Sequence, residues 1–360
     1  MDKSLKFIWV FVAGLLVALA SMPIEAKVMK DLYTASWPVK DQTTEVRNRA
    51  LGNAFAQVLV RASGNEKVLN SASIKASIDN ASDYMRLYSY QKLSLEEQKI
   101  YRKPLLLKVS FEPGAVTNLL KDSAQPIWNE NRPLGVFWIA KDVNGQRGIS
   151  ADGQDSAAIA VRKEAYQRGL PVILPLMDLD DQSAVSAADV WGKFAEPVRR
   201  ASRRYDADYI AMGALSQGRN GWQASWRVDF GNDAMSFTTS GSSSQQVVAK
   251  MVNRVADRLA LKLAVVLSNQ IETDYLKVKG LTGIEAYAKA QNILKNLSMV
   301  SSVDAIEVKE DEVLFRLGLQ SSTQYLIDAL QMSNNLRRTA ADPDGESSIN
   351  LQPLVYNWRD

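Results

Sequence analysis

Asp178, Asp180 and Asp181 follow directly on the apolar run LPVILPLM, residues 170–177, and are the densest group of chemically capable side chains in the sequence. Three carboxylates this close repel one another unless something neutralises them, so one reading is a site for a cation or a cationic partner. A second reading takes one of them as half of an acid pair of the kind that hydrolyses glycosides, although nothing identifies the other half. A third takes the segment as a solvated loop that starts the next helix. Some twenty residues on, Arg199, Arg200, Arg203 and Arg204 form a basic stripe. It is either a solvated helix face or a surface for an anionic partner or lipid head group.

The absences narrow the chemistry. The 360 residues contain neither Cys nor His, which removes thiol nucleophiles, Ser-His-Asp triads, haem ligation, the usual zinc sites and any disulfide framework. A net charge of +3 is too small to argue for nucleic acid. Residues 213–220 (GALSQGRN) carry the glycines of a phosphate-binding loop but not its lysine and hydroxyl. Ser89 and Lys92 match Ser-x-x-Lys without the accompanying motifs of that hydrolase class. The loop at residues 142–154 fails the calcium pattern because Gly145 comes too early after Asp142. Trp191, Trp222 and Trp226 sit at core spacing and read as packing residues. No residue is assigned a catalytic, cofactor-binding or metal-binding role, and Asp178, Asp180, Asp181, Arg199, Arg200, Arg203 and Arg204 stand as candidates for partner binding.

These residues must be positioned by the stretch 157–217. Asp155 and Ser156 are natural N-caps and Gly169 a natural helix-ending residue, so a helix is expected between them. Residues 170–177 then read as a buried strand, short, bulged or near an edge because Pro171 and Pro175 cannot donate to a ladder. Trp191, Phe194, Val198, Ala201 and Tyr205 recur at helical steps, with Pro197 splitting or kinking the helix and fitting best in the first turn of its second piece. The apolar YIAMGA at 209–214 closes an αβαβ unit, with a further strand at 134–140 before it.

The expected fold class is mixed α/β and α+β in three small domains. Residues 1–26 read as a secretory signal peptide: Lys3 and Lys6 precede an apolar run of about 14 residues, shorter than a bilayer span, and cleavage is placed after Ala26. Retention as an anchor is the alternative. The mature chain is then expected in the periplasm with no transmembrane segment. An N-terminal α+β domain occupies 27–130, with a strand ending at a Trp-Pro turn, a long helix stopped by Gly64-Asn65, and a hairpin of 85–92 with 105–111. A three-layer α/β sandwich occupies 131–269, including a hairpin of 222–229 with 236–240 and a helix at 245–267 whose buried face includes Val266. Residues 270–360 read as a ferredoxin-like β-α-β-β-α-β unit, with 354–358 either as its last strand or as an aromatic docking segment in a mobile tail.

Several separated blocks carry a family likeness: ASWP (35–38), RNRALGNAFAQVLVRASGN (47–65), RPLGVFWIA (132–140), RGLPVILPLMDLDD (168–181), DVWGKFAEPVRRASRRYDADYI (189–210) and GWQASWRV (221–228). Together they resemble the domain-of-unknown-function 2066 family, exported proteins of Gram-negative bacteria with no established activity. In element order, the middle unit is similar to the amino-terminal domain of TolB and to CsgG-type envelope proteins, and the first unit to the amino-terminal part of FlgT. The TolB and CsgG-type proteins contribute binding or assembly surfaces; likeness in element order is one of fold and assigns no function, and the 2066 family supplies no catalytic motif. The expected function is a periplasmic, non-enzymatic binding or assembly protein whose partner is an envelope protein or cell-wall component. The alternatives are a carboxylate-dependent hydrolase acting on cell-wall glycan and a small-ligand binding protein.

Overall fold

Three sheets, of three, six and five strands, organise the computed structural model, which describes residues 29, 31–151, 155–231, 233–331, 333, 335–339 and 353–359. The signal segment expected at 1–26 lies outside the described residues. The fold is mixed α/β, with helices packed on each sheet.

The first sheet is antiparallel in the order β1 (Thr34–Val39), β3 (Leu105–Phe111), β2 (Met85–Lys92). Helix α1 (Thr44–Ser63) packs on it because Ala50, Ala54, Phe55, Val58 and Ala62 recur at three- and four-residue steps and are all buried. Gly64 ends the helix at φ 69°, a conformation that costs glycine little. Helices α2 (Ala72–Asp79) and α4 (Pro113–Asp122) complete this unit. Between β2 and β3, where the sequence reads only a hairpin connection, lies a further helix, α3 (Leu95–Tyr101).

The six-stranded sheet comprises β4 (Gly135–Val143), β5 (Gln146–Ile149), β6 (Val172–Ile173), β7 (Tyr209–Gly218), β8 (Gly221–Phe230) and β9 (Asp233–Gly241). They run in the order β5-β4-β7-β8-β9, and β6 lies against the start of β4. One face is covered by α5 (Ser156–Arg168) and α9 (Ser244–Leu263), the other by α6 (Leu179–Ala184), α7 (Ala187–Gly192) and α8 (Ala195–Ser202). The strand expected over 170–177 is two residues long. Pro171 and Pro175 bracket it, and neither has an N–H to extend the ladder; Pro171 instead accepts from the N–H of Gly135 at 3.1 Å. Pro197 falls in the first turn of α8, where it removes no intrahelical bond. Helix α9 stops at Leu263, four residues short of expectation, because Val265 forms an antiparallel bridge with Ile127; Val266 is accordingly half exposed.

The last unit comprises β10 (Glu272–Lys279), α10 (Gly283–Lys295), β11 (Val300–Lys309), β12 (Glu312–Leu319), α11 (Thr323–Gln331), β13 (Leu336–Arg338) and β14 (Leu354–Trp358). The sheet order is β11-β12-β10-β14-β13. A plain β-α-β-β-α-β plan has four strands; here β13 is a fifth, and β14 inserts between it and β10, running parallel to β10. Val355, Tyr356 and Trp358 are buried, so this segment is a strand of the core.

Three buried arginines join the first two units. The side chain of Arg132 donates to the carbonyls of Asn129, Arg168, Gly169, Arg61 and Trp128 at 2.6–3.2 Å. It thereby caps the C-terminal ends of α1 and α5 together, where carbonyl dipoles converge and favour a cation. Arg61 donates to the carbonyls of Asp31 and Thr34 and lies 4.5 Å from the ring of Tyr166. Arg168 reaches Asn253, the carbonyl of Gly64, and Asp257. Gly169, at φ 68°, has no room for a side chain, since an added Cβ would stand 2.4 Å from Arg61 Cγ and 2.5 Å from Arg132 Nη1.

Candidate functional site

The three aspartates lie where β6 gives way to α6, and each has a distinct position. Asp178 is the N-cap of α6 and accepts from the Asp181 N–H at 3.0 Å. Asp181 is wholly buried and accepts from the N–H of Met177 at 2.9 Å. Asp180 points to solvent. Met177 stands at φ 55°, a strained position for a residue with a side chain; its N–H is held by Asp181 and its carbonyl accepts from Gln182.

What neutralises this cluster is Arg204. Its two terminal nitrogens grip the Asp178 carboxylate at 2.7 and 2.8 Å, and Nη1 also lies 3.3 Å from Asp181 and 3.8 Å from Asp180. The adjacent Tyr205 donates its hydroxyl to Asp181 and accepts from the N–H of Leu176 at 3.1 Å. Paired hydrogen bonds between a planar guanidinium and a carboxylate are among the stronger polar contacts. The electrostatics follow. Hydrogen bonds from Arg204, then from the Asp181 N–H, hold the Asp178 carboxyl down at about 2. Burial and then the bond to Asp181 push the Tyr205 phenol up to about 12.

The arginine stripe does not survive as a unit. Arg204 turns inward to the aspartates, while Arg199 pairs with Glu196 at 3.3 Å and approaches Asp229 at 3.8 Å. Arg200 and Arg203 are exposed. The break comes at the end of α8, where the chain tightens into a single 3-10 turn over Arg203–Tyr205 and rotates Arg204 off the helix face. Sequence spacing puts all four on one face only for a continuous helix.

This arrangement has consequences for chemistry. All three carboxylates lie within 4 Å of one guanidinium nitrogen rather than across a cleft from an opposing acid. The place a cation would take is occupied by Arg204. Among the described residues, no group of three His, Cys, Asp or Glu side chains is placed to hold a metal ion. Beside the ion-paired frame Leu176 is 59% and Leu179 83% exposed, and at the far end of α8 Phe194 is 58% exposed. The residue that spacing does not reveal is Tyr205. Its place at a helical step marks it as a packing residue, and its phenolic oxygen completes the frame.

Of the tryptophans, Trp226 is buried and donates to Thr239, whereas Trp191 is half buried under the guanidinium of Arg147 at 4.4 Å. A cavity of about 280 Å³ opens where Trp128 and Asn129 meet the end of α10 at Asn292 and Asn296. The side chains of Asn129 and Asn131 both donate to the carbonyl of Asn296 and fasten the junction there. No described helix is long and apolar enough to cross a membrane.

No curated protein and no solved structure matches the chain. Residues 26–129, the segment carrying the first sheet, match the family described as Domain of unknown function (DUF8605).

Proposed function

We propose that this protein is an exported, non-enzymatic binding or assembly protein of the cell envelope, working in the periplasm, and that the α6–α8 face is where it meets its partner. The observation that carries this reading is the pairing of Arg204 with Asp178 and Asp181. It fixes the backbone from Leu176 to Asp181 while leaving Leu176, Leu179 and Phe194 open to solvent. A rigid polar frame that holds large apolar side chains in water is the arrangement of a preorganised protein-binding surface. With their acceptor positions taken by Arg204, Tyr205 and backbone N–H groups, Asp178 and Asp181 serve the frame. The resemblance of the sequence blocks to the exported domain-of-unknown-function 2066 proteins fits export alone, and the family matched over residues 26–129, DUF8605, is itself of unknown function.

The test is site-specific photo-crosslinking in cells, with the probe at Leu179, at Phe194 and, as a control, at the exposed Gln270. A discrete adduct from the first two positions, absent from Gln270 and lost when Asp178→Asn loosens the frame, is the expected result. Adducts of equal intensity from all three positions count against the surface. Conversion of isolated cell-wall glycan by the purified protein, abolished in Asp181→Asn, replaces the reading with the hydrolase.

A further inference from the structure

Helix α3 stands apart from every other helix of at least seven residues among those described, because none of its side chains is buried. Leu95 is 78% exposed, Ile100 76% and Tyr101 46%. A seven-residue helix has little stability of its own. Here it is held by a capping box, in which Ser94 accepts from the Glu97 N–H and Glu97 returns to the Ser94 N–H at 2.8 Å, and by Gln98 donating to the Leu93 carbonyl at 2.8 Å. Polar contacts thus maintain a helix that contributes nothing to the core.

The charge around it is equally uneven. From Lys92 to Pro104, the helix and its two junctions, the chain carries four Lys or Arg and two Glu, a surplus of two positive charges within 13 of the 360 residues. One of the two acids, Glu97, is engaged in the cap. At 100° per residue, Leu95, Lys99, Glu96 and Ile100 share an arc of about 140°. The exposed Lys92 and Arg102 flank the two ends of the helix.

Exposed aliphatic side chains on a short helix held out from the body, with Lys99 on the helix and Lys92, Arg102 and Lys103 at its two ends, form the pattern of an interfacial element. The apolar groups enter the head-group boundary while the cations pair with lipid phosphates and keep their stems along the apolar layer. We propose that α3 and the adjoining ends of β2 and β3 dock onto the surface of a bilayer containing anionic phospholipid. This surface is separate from the α6–α8 face, and the proposal does not depend on the partner proposed there.

The full chain is sedimented with vesicles of phosphatidylethanolamine and phosphatidylglycerol, and in parallel with vesicles of pure phosphatidylcholine. Wild type and variants are compared side by side so that any contribution of residues 1–26 cancels. Binding is expected to the first vesicles and not the second, to weaken as salt rises, and to fall on the order of 100-fold when Lys92, Lys99 and Arg102 are all changed to Gln. Leu95→Ser with Ile100→Ser is expected to reduce it independently, with the melting temperature unchanged because neither side chain is buried. Wild-type partition equal on the two vesicle types, partition indifferent to both sets of substitutions, or self-association without vesicle binding overturns the proposal.

Discussion

Arg132 donates to the backbone carbonyl of Arg61 across 2.6 Å, joining residues 71 positions apart and tying the end of α1 to the start of the middle unit. Two cationic side chains are thus neighbours in the interior. They are tolerated because each guanidinium is directed at carbonyl oxygens: those of Asp31 and Thr34 for Arg61, and for Arg132 those of Asn129, Trp128 and the helix ends at Arg61, Arg168 and Gly169. Desolvation, and then the charge of Arg61, pull the Arg132 guanidinium down to about 9. The junction is a polar one inside an otherwise apolar interior.

Replacing Arg132 with Met keeps much of the volume and removes every donor. The carbonyls of Arg61, Trp128 and Gly169 then lose their side-chain partner in a buried setting, and a loss of about 3–5 kcal/mol is expected. Urea unfolding followed by tryptophan fluorescence measures it. A loss below about 1 kcal/mol shows that water substitutes for the guanidinium.

The Arg204–Asp178 pair makes stability sensitive to acid in a defined window. A carboxyl held at about 2 in the folded chain, against its ordinary 3.8, contributes stability that is complete above pH about 4 and disappears as the pH falls through about 2. Asp233, held down at about 2 by Lys262 and Arg258, shares the window. Asp178→Asn is expected to flatten the dependence of the urea midpoint between pH about 4 and 2 without abolishing it. An unchanged slope in the variant contradicts the assignment.

Tyr205→Phe removes the hydroxyl that serves Asp181 and the Leu176 N–H. The expected cost is about 1–2 kcal/mol at neutral pH. Because the phenol is raised to about 12 in the folded protein, its contribution is complete below pH about 10 and lost as the pH climbs through 12. Unfolding at alkaline pH, monitored by circular dichroism, should therefore separate wild type from variant less at pH about 12 than at pH about 8.

Trp358 lies on β14 with 8% of its surface exposed, in the core of the last unit. Trp358→Ala is expected to destabilise that unit by about 3–5 kcal/mol, the range for emptying an aromatic site. Hydrogen exchange of the β10 and β12 amides is the measurement. Protection that persists in the variant shows that the sheet does not need this strand.

Much of the fold is legible in residue pattern. Asp155 and Gly169 mark the ends of α5, the repeat through Phe55 and Val58 marks α1, and the alternation in WQASWRVD marks β8; in each, local geometry and burial agree. The absence of Cys and His limits the chemistry by composition alone. The candidate site is half legible, since the aspartates stand out in the sequence while periodicity puts their neutraliser on the wrong face. That misplacement, like the shortened strand β6 and the insertion of β14 beside β10, has one physical cause. Periodicity encodes which face of an element is apolar. It carries no information about where a helix tightens into a 3-10 turn, which ladder partner a proline denies, or which strand edge a distant segment finds. Those outcomes are settled by contacts between residues far apart in the chain, and only the assembled tertiary structure brings Arg204 to Asp178 and Arg132 to Arg61.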